Sequence, residues 1–137
     1  MRFAKLCVLA LSSMLALTAC QASVSAEQTK AKLEEKDYTV TVMSGEKFDS
    51  STLGEVFPMT IGLENFLTAT RETDGEYLIA WYFLSIEDAT SFSDLYSNQF
   101  SEATKPSLKS AKSGTKNNCV YYGTDAAVSD SGLGSLF

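Results

Sequence analysis

The feature of the sequence that most constrains the fold is a predicted β-hairpin in the middle of the chain. Two runs rich in β-forming residues, Asn65 to Thr73 and Glu76 to Leu84, flank the dipeptide Asp74-Gly75. Asp-Gly between such runs is typical of a two-residue turn that joins antiparallel strands. This turn would place Thr70 opposite Ile79. Because both faces of the second strand are largely apolar, we expect that strand to lie in the middle of a sheet.

The elements around the hairpin predict an α+β fold. From Tyr38 onward the order is strand, helix, strand, strand, helix, strand, which is the ferredoxin-like βαββαβ pattern. The alternative is a related α+β sheet in which residues 44–63 are irregular. We expect a mostly antiparallel sheet with helices on one face, the other face being open or covered by the terminal helices or by a second molecule. The further strands are Tyr38–Met43 and Cys119–Tyr122, and the helices are Ala26–Lys36, Asp49–Phe57, Ile86–Phe100 and Asp125–Asp130.

A basic segment precedes the last strand. Ala103 to Asn118 contains Lys105, Lys109, Lys112 and Lys116, one proline, one glycine and no acidic residue. This composition predicts a long basic loop. The loop is either simply solvated or a surface for an anionic lipid or polymer, since each Lys near an anionic membrane contributes about 1 kcal/mol.

The N-terminus has the organisation of an export signal. Arg2 and Lys5 precede an uncharged, mostly apolar run from Leu6 to Leu17. As a helix this run would span about 18 Å, which is shorter than the roughly 30 Å hydrocarbon core of a bilayer. We therefore interpret it as the apolar region of a signal peptide and not as a membrane span.

The residues that follow resemble a lipobox. Leu17-Thr18-Ala19-Cys20 is an aliphatic residue, two small residues and a cysteine, as in bacterial lipoprotein precursors. The resemblance implies cleavage before Cys20 and a diacylglyceryl group on its thiol. Residues 1–19 would then be the signal peptide, 20–25 a flexible tether and 26–137 a single α+β domain. The alternative is an ordinary secretory signal, which would leave the protein freely soluble.

This interpretation predicts where the protein lies. Membrane lipid is the expected partner, through acylated Cys20, because two acyl chains give stable anchoring where one does not. The expected location is the extracytoplasmic side of the cell membrane. The sequence does not distinguish a one-membrane from a two-membrane envelope.

Composition excludes several kinds of chemistry. Removal of residues 1–19 leaves nine basic residues against 17 acidic ones, a net charge of −8 that argues against nucleic-acid binding. The chain has no histidine, so it cannot form a Ser-His-Asp or Cys-His nucleophile. Three cysteines cannot supply an all-cysteine zinc site. Two acidic pairs are adjacent in the sequence, Glu34-Glu35 and Glu87-Asp88. The two members of each pair would not face each other on a helix, so neither pair is suited to acid–base catalysis. No catalytic residue, metal or cofactor is therefore predicted.

The expected function is a non-catalytic binding or structural role. The alternative is an extracytoplasmic hydrolase that uses Ser and Lys, or carboxylates, in a cleft. Trp81 and Tyr77, with the four lysines, are candidates for a protein-partner or homodimer surface if one sheet face is open. The other interpretation places these aromatic residues in the core. Cys119 is expected to be a buried apolar residue or else a reactive thiol.

The mature chain also carries a weaker resemblance. Lys32-Leu33-Glu34 lies in a predicted helix before the strand residues Tyr38 and Val40, and Val120-Tyr121-Tyr122-Gly123-Thr124 precedes a short helix. This arrangement is similar to that of small bacterial lipoproteins. The resemblance implies no particular activity and no site residues.

Overall fold

The computed structural model describes residues 24–58, 60–103 and 111–134. These residues form one five-stranded sheet and five helices. The strands are β1 (Thr39–Ser44), β2 (Leu63–Arg71), β3 (Glu76–Phe83), β4 (Ala111–Lys116) and β5 (Cys119–Thr124). The helices are α1 (Ala26–Glu34), α2 (Gly45–Asp49), α3 (Thr52–Val56), α4 (Ile86–Ala103) and α5 (Asp125–Ser131).

The sheet confirms the α+β class and corrects its topology. The strand order is β1-β2-β3-β5-β4, and every neighbouring pair is antiparallel. The predicted central position of β3 is confirmed. The ferredoxin-like order is not, because β1 pairs directly with β2. The helices between them, α2 and α3, have five residues each and are too short to carry a parallel crossover along the sheet.

Helices pack on both faces of the sheet, with α2 and α4 on one face and the terminal helices α1 and α5 on the other. Apolar side chains point to both faces along β3, so helices must bury apolar surface on each face of the sheet. Leu78, Ala80 and Tyr82 join a cluster that includes residues of α1 and α5. Trp81 and Phe83 join a second cluster that includes residues of α2 and α4. Of the alternatives considered for the second face, cover by the terminal helices is the one observed.

The central hairpin has a longer loop than the sequence predicts. Arg71 pairs with Glu76, which leaves four residues in the loop, and Thr70 lies opposite Tyr77 instead of Ile79. The Arg71 guanidinium donates two hydrogen bonds to the Asp74 carboxylate, at 3.1 and 2.8 Å, and this pair closes the longer loop. The register differs by two residues, so every side chain stays on its predicted face.

The basic segment is not a loop throughout. Residues 111–116 form β4, an edge strand, and residues 104–110 lie outside the described ranges. Lys116 pairs with Cys119 across a two-residue turn in which Asn117 has a φ of 51°. Asn tolerates this left-handed conformation better than most residues. Pairing with β5 therefore forms a strand that its composition does not favour.

The buried faces of the helices are narrower than their apolar spacing predicts. In α4, Ala89, Phe92 and Tyr96 are buried, whereas Ile86 and Leu95 are 47% and 55% exposed. Around α3 the same spacing predicts a shared buried face for Leu53, Val56 and Phe57, and only Phe57 is buried. Several large apolar side chains therefore remain in contact with solvent.

Candidate functional site

One end of the sheet receives the N-terminal part of the domain, and we call it the tether end. It comprises the end of β1, the start of β2, the end of β3 and the turn between β4 and β5. Leu63 pairs with Phe83 there, and the Phe83 N–H donates to the Asn118 carbonyl at 2.8 Å. Val24, the first described residue, lies at this end.

Asn118 fixes the point at which the chain enters the domain. Its Oδ1 accepts a hydrogen bond from the Val24 N–H at 2.5 Å, and its Nδ2 donates to the Val24 carbonyl at 3.1 Å. The same Nδ2 donates to the Phe83 carbonyl at 2.8 Å. The Asn118 side chain thus pairs with both backbone groups of Val24, and the residue is only 4% exposed.

Val24 and Ser25, which the sequence analysis assigns to the tether, both contact the folded domain. Val24 packs against the core cluster of α1 and α5, and Ser25 caps α1 by accepting from the Gln28 N–H at 3.3 Å. The sequence analysis did not identify Asn118, although Asn117-Asn118 before a β-rich run is a recognisable turn signal.

A cavity of about 330 Å³ lies beside this contact. Glu27 and Glu64 give its lining acidic character. The Tyr82 hydroxyl donates to Thr29 Oγ1 at 2.6 Å, and burial raises the pKa of Tyr82, so that its phenol stays neutral. The lining residues are Val24, Ser25, Ala26, Glu27, Glu64, Asn65, Tyr82 and Asn118.

The structure buries Trp81 and leaves Tyr77 half-buried. Trp81 is 2% exposed and packs against Phe57, Phe66 and Phe92, with ring centroids 5.1 to 5.6 Å apart. Tyr77 is half-buried, with its ring 6.2 Å from that of Tyr122. The prediction of an exposed Trp81 is wrong because α4 covers this face of the sheet.

The structure describes two of the four candidate lysines. Lys105 and Lys109 lie outside the described ranges, and Lys112 is exposed on β4. The half-buried Lys116 donates from Nζ to the Gly132 carbonyl at 3.1 Å, at the C-terminal end of α5. A cation is favourable at a helix C-terminus, so Lys116 has a stabilising role within the fold.

Cys119 is a buried part of the core, and Cys20 lies outside the described ranges. Burial raises the pKa of the Cys119 thiol, so the thiolate that would react is disfavoured. The structure therefore favours the small apolar interpretation of Cys119.

A polar cluster holds the opposite end of the sheet together, and we call that the hairpin end. The Tyr38 hydroxyl donates to Asp130 Oδ2 at 2.9 Å, and the Arg71 guanidinium lies 4.5 Å from the Tyr38 ring centroid. Burial and the Asp130 carboxylate raise the pKa of Tyr38. Arg71 also donates to the Lys36 carbonyl at 2.9 Å. The cluster joins β1, β2 and α5.

Neither a metal site nor a membrane-spanning helix is found among the residues that the structure describes. Within residues 24–58, 60–103 and 111–134, no group of three His, Cys, Asp or Glu side chains is placed to hold a metal ion. No helix in these ranges has the length and apolar character needed to cross a bilayer. Comparison of the chain with protein-family models, curated proteins and solved structures returned no match.

Proposed function

We propose that this protein is a membrane-anchored, extracytoplasmic lipoprotein with a non-catalytic binding or structural role. The observation that carries the proposal is the lipobox-like Leu17-Thr18-Ala19-Cys20 after a short uncharged apolar run. Acylation of Cys20 would attach two acyl chains, enough for stable membrane anchoring.

The tether end supports this proposal. Asn118 holds Val24 by both backbone groups, and Val24 is four residues from Cys20 in the sequence. In a domain anchored through Cys20, the chain from the anchor would therefore meet the folded structure at a fixed position, Val24. A loosely attached N-terminal segment would need no such buried contact.

The titratable side chains favour a non-catalytic role. Burial is the main cause of the raised pKa values of Tyr38, Tyr82, Tyr121 and Cys119. Each shift moves the pKa of the group away from neutral pH and lowers the fraction of its ionised, reactive form there. Enzymes tune catalytic pKa values in the opposite direction, toward the working pH.

Metabolic labelling with a fatty acid in a bacterial host tests the anchor. We expect the protein to be labelled, the Cys20→Ser variant to lose the label, and the Cys119→Ala variant to keep it. The Cys119 variant is the matched control because it also removes one thiol. An unlabelled wild-type protein, or a labelled Cys20→Ser variant, would contradict the proposal.

A serine-reactive fluorophosphonate probe tests the non-catalytic role. We expect no covalent labelling of the folded protein at neutral pH. Stoichiometric labelling that disappears on denaturation would favour the hydrolase alternative instead.

A further inference from the structure

Three large apolar side chains are exposed close together at the tether end, and we call them the apolar trio. Ile61 is 71% exposed, Leu84 73% and Ile86 47%. The Leu84 N–H donates to the Gly62 carbonyl at 2.9 Å, which places Leu84 beside the residue that follows Ile61. Ile86 is two residues further on, at the start of α4. The trio thus lies on two adjoining segments, the loop before β2 and the start of α4.

The attachment point lies at the same end of the sheet. Asn118 bonds to Val24 and to Phe83, the residue directly before Leu84. Cys20 is four residues before Val24 in the sequence, and four residues of extended chain reach at most about 14 Å. An acyl group on Cys20 would therefore hold the tether end close to the bilayer.

We propose that the apolar trio enters the interfacial region of the bilayer to which Cys20 anchors the protein. This inference rests on the proposed lipid anchor. The proposed contact is apolar and not electrostatic: Glu27, Glu64 and Asp88 are among the charged side chains near this end, and an anionic bilayer would not attract them. The hairpin end then lies about 24 Å farther from the membrane, which is the length of β3.

Site-specific fluorescence quenching in vesicles tests this orientation. The acylated protein would carry one new cysteine, Leu84→Cys or Ile61→Cys, labelled with an environment-sensitive fluorophore. A label would react selectively there because Cys119 is buried and the Cys20 thiol is acylated. The vesicles contain phosphatidylcholine with a fraction of doxyl-labelled phosphatidylcholine as the quencher.

Two exposed positions away from the tether end are matched controls. Leu95→Cys is on α4, nine residues after Ile86, and Thr73→Cys is in the hairpin loop. We expect labels at Leu84 and Ile61 to lose about half or more of their fluorescence, since interfacial apolar groups lie roughly 5–10 Å into the headgroup and acyl boundary. Labels at the two control positions should be little quenched, and high salt should not change this pattern.

The possible failures are distinguishable. If the wild-type protein does not float with vesicles, the lipid anchor is absent and the proposed function fails. If the protein floats but the label at Leu84 is quenched no more than the label at Thr73, the anchor stands and the membrane-facing trio is refuted. That second result would mean that the apolar trio faces solvent or binds a protein partner.

Discussion

Replacement of Asn118 by alanine tests the contact that fixes the entry of the chain into the domain. The substitution removes the two hydrogen bonds to Val24 and the donor to the buried Phe83 carbonyl. The Phe83 carbonyl stays buried without a partner, which costs about 1–3 kcal/mol. The backbone groups of Val24 can bond to water instead, so loss of their hydrogen bonds costs about 1 kcal/mol more. We therefore expect Asn118→Ala to lower the free energy of unfolding by about 2–4 kcal/mol, and the melting temperature by about 10 °C.

Urea unfolding followed by tryptophan fluorescence measures this change. Trp81 is the single tryptophan of the chain and is 2% exposed, so its emission reports the loss of the core. A chain with Cys20→Ser keeps acyl chains out of the measurement. Asn65→Ala is the matched control: Asn65 lines the same cavity but is only half-buried, and we expect a loss below about 1 kcal/mol.

Two variants of Asn118 test the role of this contact in stability. An Asn118→Ala variant within about 0.5 kcal/mol of the parent would refute a stabilising role for the contact. An Asn118→Asp variant would place a carboxylate against two carbonyl oxygens, which raises the pKa of that carboxyl in the folded state. Its stability is therefore expected to rise as the pH falls from about 7 to about 4.

Four further predictions concern the core, a helix end, the buried thiol and the pH dependence of stability. Phe92→Ala removes a ring that contacts four other aromatic rings, and we expect a loss of about 3–5 kcal/mol in urea unfolding. Gly132→Ala forces a side chain onto a φ of 79° and against Lys32 Nζ, and thermal unfolding should show a loss of about 1–2 kcal/mol. Cys119 should not react with a thiol reagent at pH 8 until the protein unfolds. Because the pKa values of Cys119 and Tyr38 are raised by folding, stability should fall as the pH rises above about 9–10, and the Tyr38→Phe variant should lose less.

Local patterns predicted much of the secondary structure. The two-faced apolar pattern of β3 correctly placed this strand in the middle of the sheet. Ser25 and Ser85 each accept a backbone hydrogen bond at the start of a helix, and a serine before a run of helix-forming residues is a local signal for such a cap. These features were predictable because their causes lie within a few residues of sequence.

The features that the sequence did not reveal depend on particular pairwise contacts, which residue types alone do not specify. The hairpin loop is longer than predicted because Arg71 pairs with Asp74. The Lys-rich β4 is a strand because β5 offers it backbone partners. Trp81 is buried because α4 packs over it, and residue types alone do not distinguish a covered aromatic residue from an exposed one. Asn118 contacts a residue 94 positions away, so no local pattern indicated its role.

The position of the Asn118 contact also determines how the domain would respond to mechanical force. A pull on an anchored N-terminus reaches the fold at Val24, and Asn118 passes it to Phe83 in the central strand. The load is therefore shared with β3, which is hydrogen-bonded to a strand on each side, before it reaches the exposed edges of the sheet. A tether attached at β1 or β4 would instead peel away an edge strand one hydrogen bond at a time. The chain thus enters the domain beside the central strand of the sheet.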